Sequence, residues 1–372
     1  MNILVTGANG FMGRNLCQAL EQQEPTAVLF RIDLQNAEAE LPAAAKQADF
    51  VFHLAGVNRP PNPEAYMQGN ADFTKTLLAM LSDAKKPPVL LSGSTQAALQ
   101  NPYGQSKLIA EEAVRDYGQR CHTPVYLYRL TNAFGKWSRP NYNSAVATFC
   151  HNIACGAPIS VSDPEALLKL NYIDDITAEF LRALHEKPHR EGEYCSVCPV
   201  HEIKLGMLAR LIEGFHEARN TLTIPDQSDP FTRKLYATYL SFLPPDDFSR
   251  TPVSHTDARG SFTELLHMAG HGQISVNVSK PHIQKGNHWH HTKHEKFIVL
   301  SGEGVIRFRK IGDSTVLSYP VSGQLPTIVD IPPGYTHLIE NLGESDMITL
   351  MWASECFNPD KPDTFPLKVH DR

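Results

Sequence analysis

The sequence predicts an α/β doubly wound parallel sheet followed by an all-β barrel, and three observations predict it. Short apolar runs alternate with helical patterns from residue 1 to about 220, period-two strands take over from about residue 255, and a proline-rich acidic stretch lies between. In the first region, residues 3–5, 50–54, 89–91 and 125–128 read as buried strands, and 11–22, 70–84 and 106–117 as the helices between them. In the second, Ile274, Val276 and Val278 alternate with polar residues, as do Ile306 and Phe308 with Arg307 and Arg309, and Ile348, Leu350 and Trp352 with their neighbours. The run PPDDFSRTP is the expected linker, which places one domain at 1–246 and another at 247–372.

Composition agrees with this division. A chain of 372 residues exceeds one ordinary core, and 42% hydrophobic with 20% charged residues is the balance of a globular protein rather than a disordered one. A net charge of −6 excludes a dedicated nucleic-acid binder, which needs a basic face to neutralise phosphates. The opening MNILVTGANG runs straight into a strand pattern, and no apolar run reaches the roughly 18 residues of a membrane span, so a cytoplasmic protein without membrane insertion is expected. The seven cysteines show no framework spacing and read as reduced thiols. Cys195 and Cys198 lack the second pair that a zinc site would need.

The first strand runs into TGANGFMG, which sets Gly7, Gly10 and Gly13 between a strand and a helix. Glycines there let the chain turn tightly, bring backbone amides to a pyrophosphate at the helix N-terminus, and let the helix sit close to the sheet. In NPYGQSK, Tyr103 and Lys107 are four apart and share a helix face. A free phenol titrates near pH ~10, so a tyrosine exchanging protons at neutral pH needs a nearby cation such as Lys107. Ser92 and Ser94 end a strand, where a hydroxyl can meet a substrate carbonyl. Asp33 lies where an acidic side chain would hold a ribose 2′-hydroxyl and favour NAD(H), whereas Arg31 argues for NADP(H).

TGANGFMG, HLAG, LSGS, YGQSK, YRLTNAFG and NYIDDI, in this order, resemble the extended short-chain dehydrogenase/reductase family over most of residues 1–220. That resemblance implies a Rossmann-like sheet and a catalytic triad of Ser94, Tyr103 and Lys107. It also implies a nicotinamide cofactor held by Gly7, Gly10, Phe11, Met12, Gly13, Arg31, Asp33, Leu54, Ala55, Gly56, Tyr103 and Lys107, with substrate contact at Asn132. The short segment before HLAG implies that the sheet lacks a strand present in larger relatives.

In GNHWHHTKHEKF, His288 and His290 lie two apart on a strand pattern, so both imidazoles can meet one ion. Glu295 and His337 complete a donor set suited to zinc or another divalent metal. His291 and His294 fall outside that set. This run and PPGYTHLIEN resemble the two cupin motifs, although His282 stands where those motifs usually have glycine. DARGSFTE resembles the opening motif of cupin-type deoxysugar-nucleotide 3,5-epimerases, which implies that Arg259 grips a diphosphate and Glu264 touches substrate. Glu264 and Lys296 are the candidate acid or base groups, and in those epimerases the position of His288 is the base instead of a ligand.

The domain order, the length and the strings KWSRPNYNS and GNHWHHTKHEKF resemble bifunctional enzymes of capsular polysaccharide synthesis. The resemblance implies a UDP-linked 2-acetamido-2,6-dideoxy-4-keto hexose that is epimerised at carbon 3 in a zinc cupin, then reduced by NADPH to UDP-N-acetyl-6-deoxy-talosamine, in a homodimer. A second reading is an NAD-dependent sugar-nucleotide epimerase or dehydratase whose cupin only dimerises or binds sugar.

Overall fold

The structure is a computed structural model that describes residues 1–60 and 62–370, so Pro61 and the last two positions of the expected second domain lie outside the described residues. The chain forms two compact units. One takes Met1–Glu213 and Pro230–Pro244; the other takes Gly214–Asp229 and the chain from Pro245 onward. The chain thus passes between units at three places. The reason for the early excursion is strand pairing: Thr223 and Ile224 lie parallel to His267 and Met268 of the second unit.

The first unit is built on β1 (Asn2–Thr6), α1 (Phe11–Gln23), β2 (Val28–Ile32), α2 (Ala37–Gln47), β3 (Phe50–His53), α3 (Glu64–Tyr66), α4 (Phe73–Ser82), β4 (Val89–Ser94), α5 (Pro102–Cys121) and β5 (Val125–Leu130). The parallel order is β2-β1-β3-β4-β5, extended by Tyr194–Cys195 and an antiparallel Arg190–Glu191. Apolar residues on successive strand positions point to opposite faces, which produces two cores. Ile3, Val5, Phe52 and Tyr128 pack with Leu16, Leu20 and Phe180 on one side. Leu4, Val51, Leu91 and Leu127 pack with Leu77, Leu81 and Val114 on the other.

Two helix boundaries differ from expectation. The helix expected from residue 106 begins at Pro102, because Asn101 caps it by accepting from the Gly104 N–H at 2.8 Å and Pro102 needs no amide partner in the first turn. Tyr103 therefore sits in the first turn and Lys107 in the second. The helix expected over 70–84 is regular only in Phe73–Ser82 and follows a π-helical stretch, Met67–Asp72. Within that stretch Asn70 is buried, accepts from the Val57 N–H and donates to Ser106 Oγ.

Apart from the end of the helix Leu205–Asn220 and a 3-10 turn at Pro245–Asp247, the second unit is built of β-strands, antiparallel except for the Thr223–Ile224 pairing. One sheet contains Gly260–Met268, Gly272–Ser279, Met347–Ala353, Glu295–Ser301 and Ile328–Ile331 in that spatial order; the other contains Val316–Ser322, Glu303–Lys310, Tyr335–Asn341, Gln284–Trp289 and Phe365–Pro366. Phe297, Val299, Val329 and Met347 of the first sheet pack with Ile306, Phe308 and Ile339 of the second. An α/β unit followed by an all-β unit is the architecture that the sequence predicts. Within strand Gly272–Ser279, however, the residues turned inward are Gln273, Ser275, Asn277 and Ser279, while Ile274, Val276 and Val278 are half-buried on the opposite face.

Candidate functional site

In the first unit, the β1–α1 turn needs glycine at two positions. Gly7 has φ +69°, and a Cβ there would lie 2.8 Å from the Ala55 backbone N. At Gly13 a Cβ would lie 2.1 Å from the Gly7 carbonyl oxygen, so only glycine lets α1 fold back on the loop. This turn opens on a cavity of about 870 Å³ lined by Gly7, Gly10, Phe11, Met12, Gly13, Leu54, Gly56, Ser94, Tyr103, Lys107 and Asn132. Ala55 stands behind the turn. Asp33 accepts from the Asn9 backbone N–H at 2.9 Å and so ties the end of β2 to the glycine loop. Arg31 lies outside this cavity, in an ion pair with Glu21.

Ser94, Tyr103 and Lys107 converge because β4 ends where α5 begins. Ser94 Oγ accepts from the Gln96 N–H at 3.2 Å, and the Tyr103 hydroxyl donates to Asn58 Oδ1 at 3.0 Å. Burial raises the pKa of Tyr103, a hydrogen bond with Ser94 opposes the rise, and Tyr66 and Tyr142 add to it. Lys107 does not figure among these influences, and its ammonium lies 5.9 Å from the ring centroid. Lys107 itself is buried, which pushes its pKa down to about 8 against the pull of Glu111. Arg129 is committed to Glu111 through a bidentate pair with a shortest distance of 2.7 Å, so it braces the sheet.

Sequence reasoning missed two features of this cavity. Asn58 is one, and its only local signal is its nearness to HLAG. The other is the loop of KWSRPNYNS, whose Trp137, Arg139 and Tyr142 line the cavity. Arg14 stacks 5.3 Å over Trp137, and Arg139 lies 4.9 Å over Tyr142. Aromatic and arginine residues interleaved between two motifs are the signal that points to such a wall.

In the second unit, His288, His290, Glu295 and His337 come together, each offering one ligand atom within 4.8 Å of the others. His288 pairs with His337 across neighbouring strands, just past a bulge at Gly286. Glu295 Oε2 lies 3.4 Å from His290 Nε2 and 3.5 Å from His337 Nε2. His290 Nδ1 donates to the Asp363 carbonyl at 2.6 Å, which aims Nε2 at the cluster. His290 Nε2, Glu295 Oε2 and both His337 ring nitrogens are buried without a hydrogen-bond partner. Convergent imidazoles and a carboxylate left with unused donor atoms fit a divalent ion such as zinc. Burial and the neighbouring His337 and His290 push His288 down to about 4, the neutral state a ligand requires.

These four residues face a cavity of about 560 Å³ that also takes in Arg259, Glu264 and Lys285. Arg259 is paired with Asp257 at 2.6 Å, and Glu264 with His267 at 3.1 Å. Lys285, which sequence reasoning missed, donates to Asn277 Oδ1 at 2.7 Å. Lys296 does not line this cavity: it pairs with Asp330 on the exposed side of its strand, which removes it as an acid or base for this pocket. His291 packs on Trp289 and Phe365, and His294 on Trp352, both outside the cluster. His282 takes φ +60°, the left-handed conformation a glycine would adopt at the same position. All seven cysteines are free, and no helix among the described residues is long and apolar enough to cross a membrane.

Comparison with known proteins agrees with this division. Residues 3–197 match the NAD dependent epimerase/dehydratase family and residues 255–365 the polysaccharide biosynthesis C-terminal domain. The chain is 42% identical to the UDP-2-acetamido-2,6-beta-L-arabino-hexul-4-ose reductase of Pseudomonas aeruginosa, over 99% of both chains. It is 47% identical to the crystal structure of the capsular polysaccharide assembling protein CapF of Staphylococcus aureus, with a TM-score of 0.93 over 99% of this chain and 100% of that one. UDP-glucuronic acid 4-epimerase of Bacillus cereus, at 20% identity and TM-score 0.55 over 65% of this chain and 99% of its own, shares the fold of the first unit. A glycine turn that opens on a serine, tyrosine and lysine, followed by an all-β unit of matching design, makes this chain a member of the NAD dependent epimerase/dehydratase family and a close homologue of CapF.

Proposed function

We propose that this chain is a cytoplasmic, homodimeric enzyme of surface polysaccharide synthesis that epimerises carbon 3 of a UDP-2-acetamido-2,6-dideoxy-4-keto hexose and then reduces carbon 4, releasing UDP-N-acetyl-6-deoxy-talosamine. The observation that carries the reading is the opening of Ser94, Tyr103 and Lys107 onto the cavity of the glycine loop. NADPH, the cofactor we favour over NADH, would supply the hydride. The Tyr103 hydroxyl gives the proton to the carbonyl oxygen, Ser94 holds that oxygen, and the Lys107 ammonium holds the ribose. The reductase named for the Pseudomonas relative acts on a 4-ulose, the class of ketone this constellation handles.

In the second unit, His288, His290, Glu295 and His337 would hold zinc, which supplies Lewis-acid polarisation of a carbonyl. Arg259 and Lys285 present cations for the diphosphate, and Glu264 meets the sugar. A ketone at carbon 4 acidifies the proton on carbon 3; once carbon 4 is reduced, that acidity disappears and the new configuration is retained. The edge strand Val316–Ser322 supports a partner protomer.

The test is NMR of the product formed from the 4-keto UDP-sugar with NADPH in heavy water. We expect deuterium at carbon 3 and one NADPH consumed per product. A cofactor that stays bound and recycles would replace this reading with a nicotinamide-retaining epimerase. A product still protonated at carbon 3 would remove the epimerisation step.

A further inference from the structure

One residue outside the cluster reaches both sides of it. Asp363 accepts from His290 Nδ1 through its main-chain carbonyl at 2.6 Å. Its carboxylate accepts from the backbone N–H groups of His291, Thr292 and Lys293 at 2.9, 2.9 and 2.8 Å, and from Thr292 Oγ1 at 3.1 Å. Those residues begin the turn that connects His290 to Glu295, so one side chain fixes the path between two members of the cluster. Buried Lys293 returns the grip by donating to the Pro362 carbonyl at 2.6 Å.

The segment that follows is anchored to the strand carrying His288. Phe365 and Pro366 pair with Trp289 and His288, and the Leu367 N–H donates to the Asn287 carbonyl at 2.9 Å. Val369 is fully buried and its N–H donates to Asn287 Oδ1 at 3.0 Å. Asp363 has φ +41°, a conformation that aspartate tolerates better than most residues and that turns its carbonyl and carboxylate to the same loop.

We propose that Asp363 is the positioning residue of His290 in the metal cluster: its carboxylate, seated on the turn that follows His290, keeps its main-chain carbonyl on Nδ1 and so fixes the tautomer and direction of that imidazole. The proposal rests on the reading that the four side chains bind a divalent ion. An imidazole whose far nitrogen is tied to an acceptor presents its other nitrogen with the lone pair free, and loss of such an outer partner typically weakens metal binding by roughly 10–100-fold. The carboxylate acts one step further out, because without it nothing else in the turn holds the three N–H groups to residue 363.

The experiment measures zinc affinity of the full chain by competition with a chromogenic chelator, for wild type, Asp363→Ala, His290→Ala and the double variant. We expect Asp363→Ala to bind zinc roughly 10–100-fold more weakly than wild type. In the His290→Ala background the same change should alter affinity less than about twofold, since the imidazole it aims is gone. An equal loss in both backgrounds marks a merely structural role and overturns the proposal, as does an unchanged affinity in the single variant. Should the alanine variant unfold by circular dichroism, Asp363→Asn keeps size and the left-handed backbone but offers one acceptor oxygen instead of two. It is expected to bind more weakly than wild type, and wild-type affinity there overturns the proposal. A wild-type chain that takes up no zinc defeats the metal reading itself, whereas a tight wild type matched by its variants defeats only the role of Asp363.

Discussion

The two pockets of this chain differ in how their polar groups rest before anything binds. Around the glycine loop the groups have protein partners: the Tyr103 hydroxyl on Asn58, the Ser94 hydroxyl on the Gln96 amide, the Asp33 carboxylate on the Asn9 amide. In the β unit, four donor atoms on His290, Glu295 and His337 are buried with none. An unpartnered buried polar atom costs about 1–3 kcal/mol, so the first pocket can stand open while the second is stabilised by whatever ligates it. Readiness in one is achieved by hydrogen bonds, and in the other by a deficit that an ion removes.

The sharpest way to break this comparison is to remove the proton donor of the first pocket. Tyr103→Phe should lower NADPH-dependent reduction by roughly 10²–10⁴-fold while leaving zinc content and thermal midpoint unchanged. Elemental analysis beside a rate assay checks it, and a full reduction rate would withdraw Tyr103 from the chemistry. The reciprocal change is His337→Ala, whose effect on zinc affinity should exceed the roughly 10–100-fold loss typical of an outer partner. Binding of NADPH, followed by fluorescence, should not move.

A smaller effect concerns the first unit and its response to pH. His53 is buried between Thr6 Oγ1 at 2.7 Å and Thr74 Oγ1 at 2.8 Å, and burial, with Lys107 nearby, holds its pKa near 3 against an ordinary 6.5. The unfolded chain therefore binds a proton that the folded one refuses across the window from pH 6.5 down to 3. Within that window the first unit loses stability as pH falls, by up to about 1.4 kcal/mol per pH unit from this group. Chemical denaturation of wild type and His53→Gln at pH 7 and 5 checks the sign: the difference between them should narrow in acid.

How much was legible from residues alone follows the same division. The glycine turn and the tyrosine-lysine pair are local, since each spans a few residues whose spacing fixes their geometry, and they could be read without knowing the fold. The four-residue cluster was readable from two short strings because strand alternation brings such donors to one face. Strand Gly272–Ser279 was not. A reader takes Ile274, Val276 and Val278 for the core-facing set, yet the inward set is Gln273, Ser275, Asn277 and Ser279, because the inner wall borders a pocket. Asn58, Lys285 and Asp363 escaped for another reason. Each acts on a residue 8 to 73 positions away, and a single sequence does not encode such pairings in its local pattern.

The excursion of Gly214–Asp229 into the β unit bears on how the protein can be dissected. Cutting the gene at the proline-rich stretch would deliver the β half without Thr223 and Ile224, and would strip the His267 amide of the Leu222 carbonyl it meets at 2.8 Å. A half made that way would expose a raw strand margin to its own copies, and it should precipitate or form larger assemblies than the intact polypeptide does.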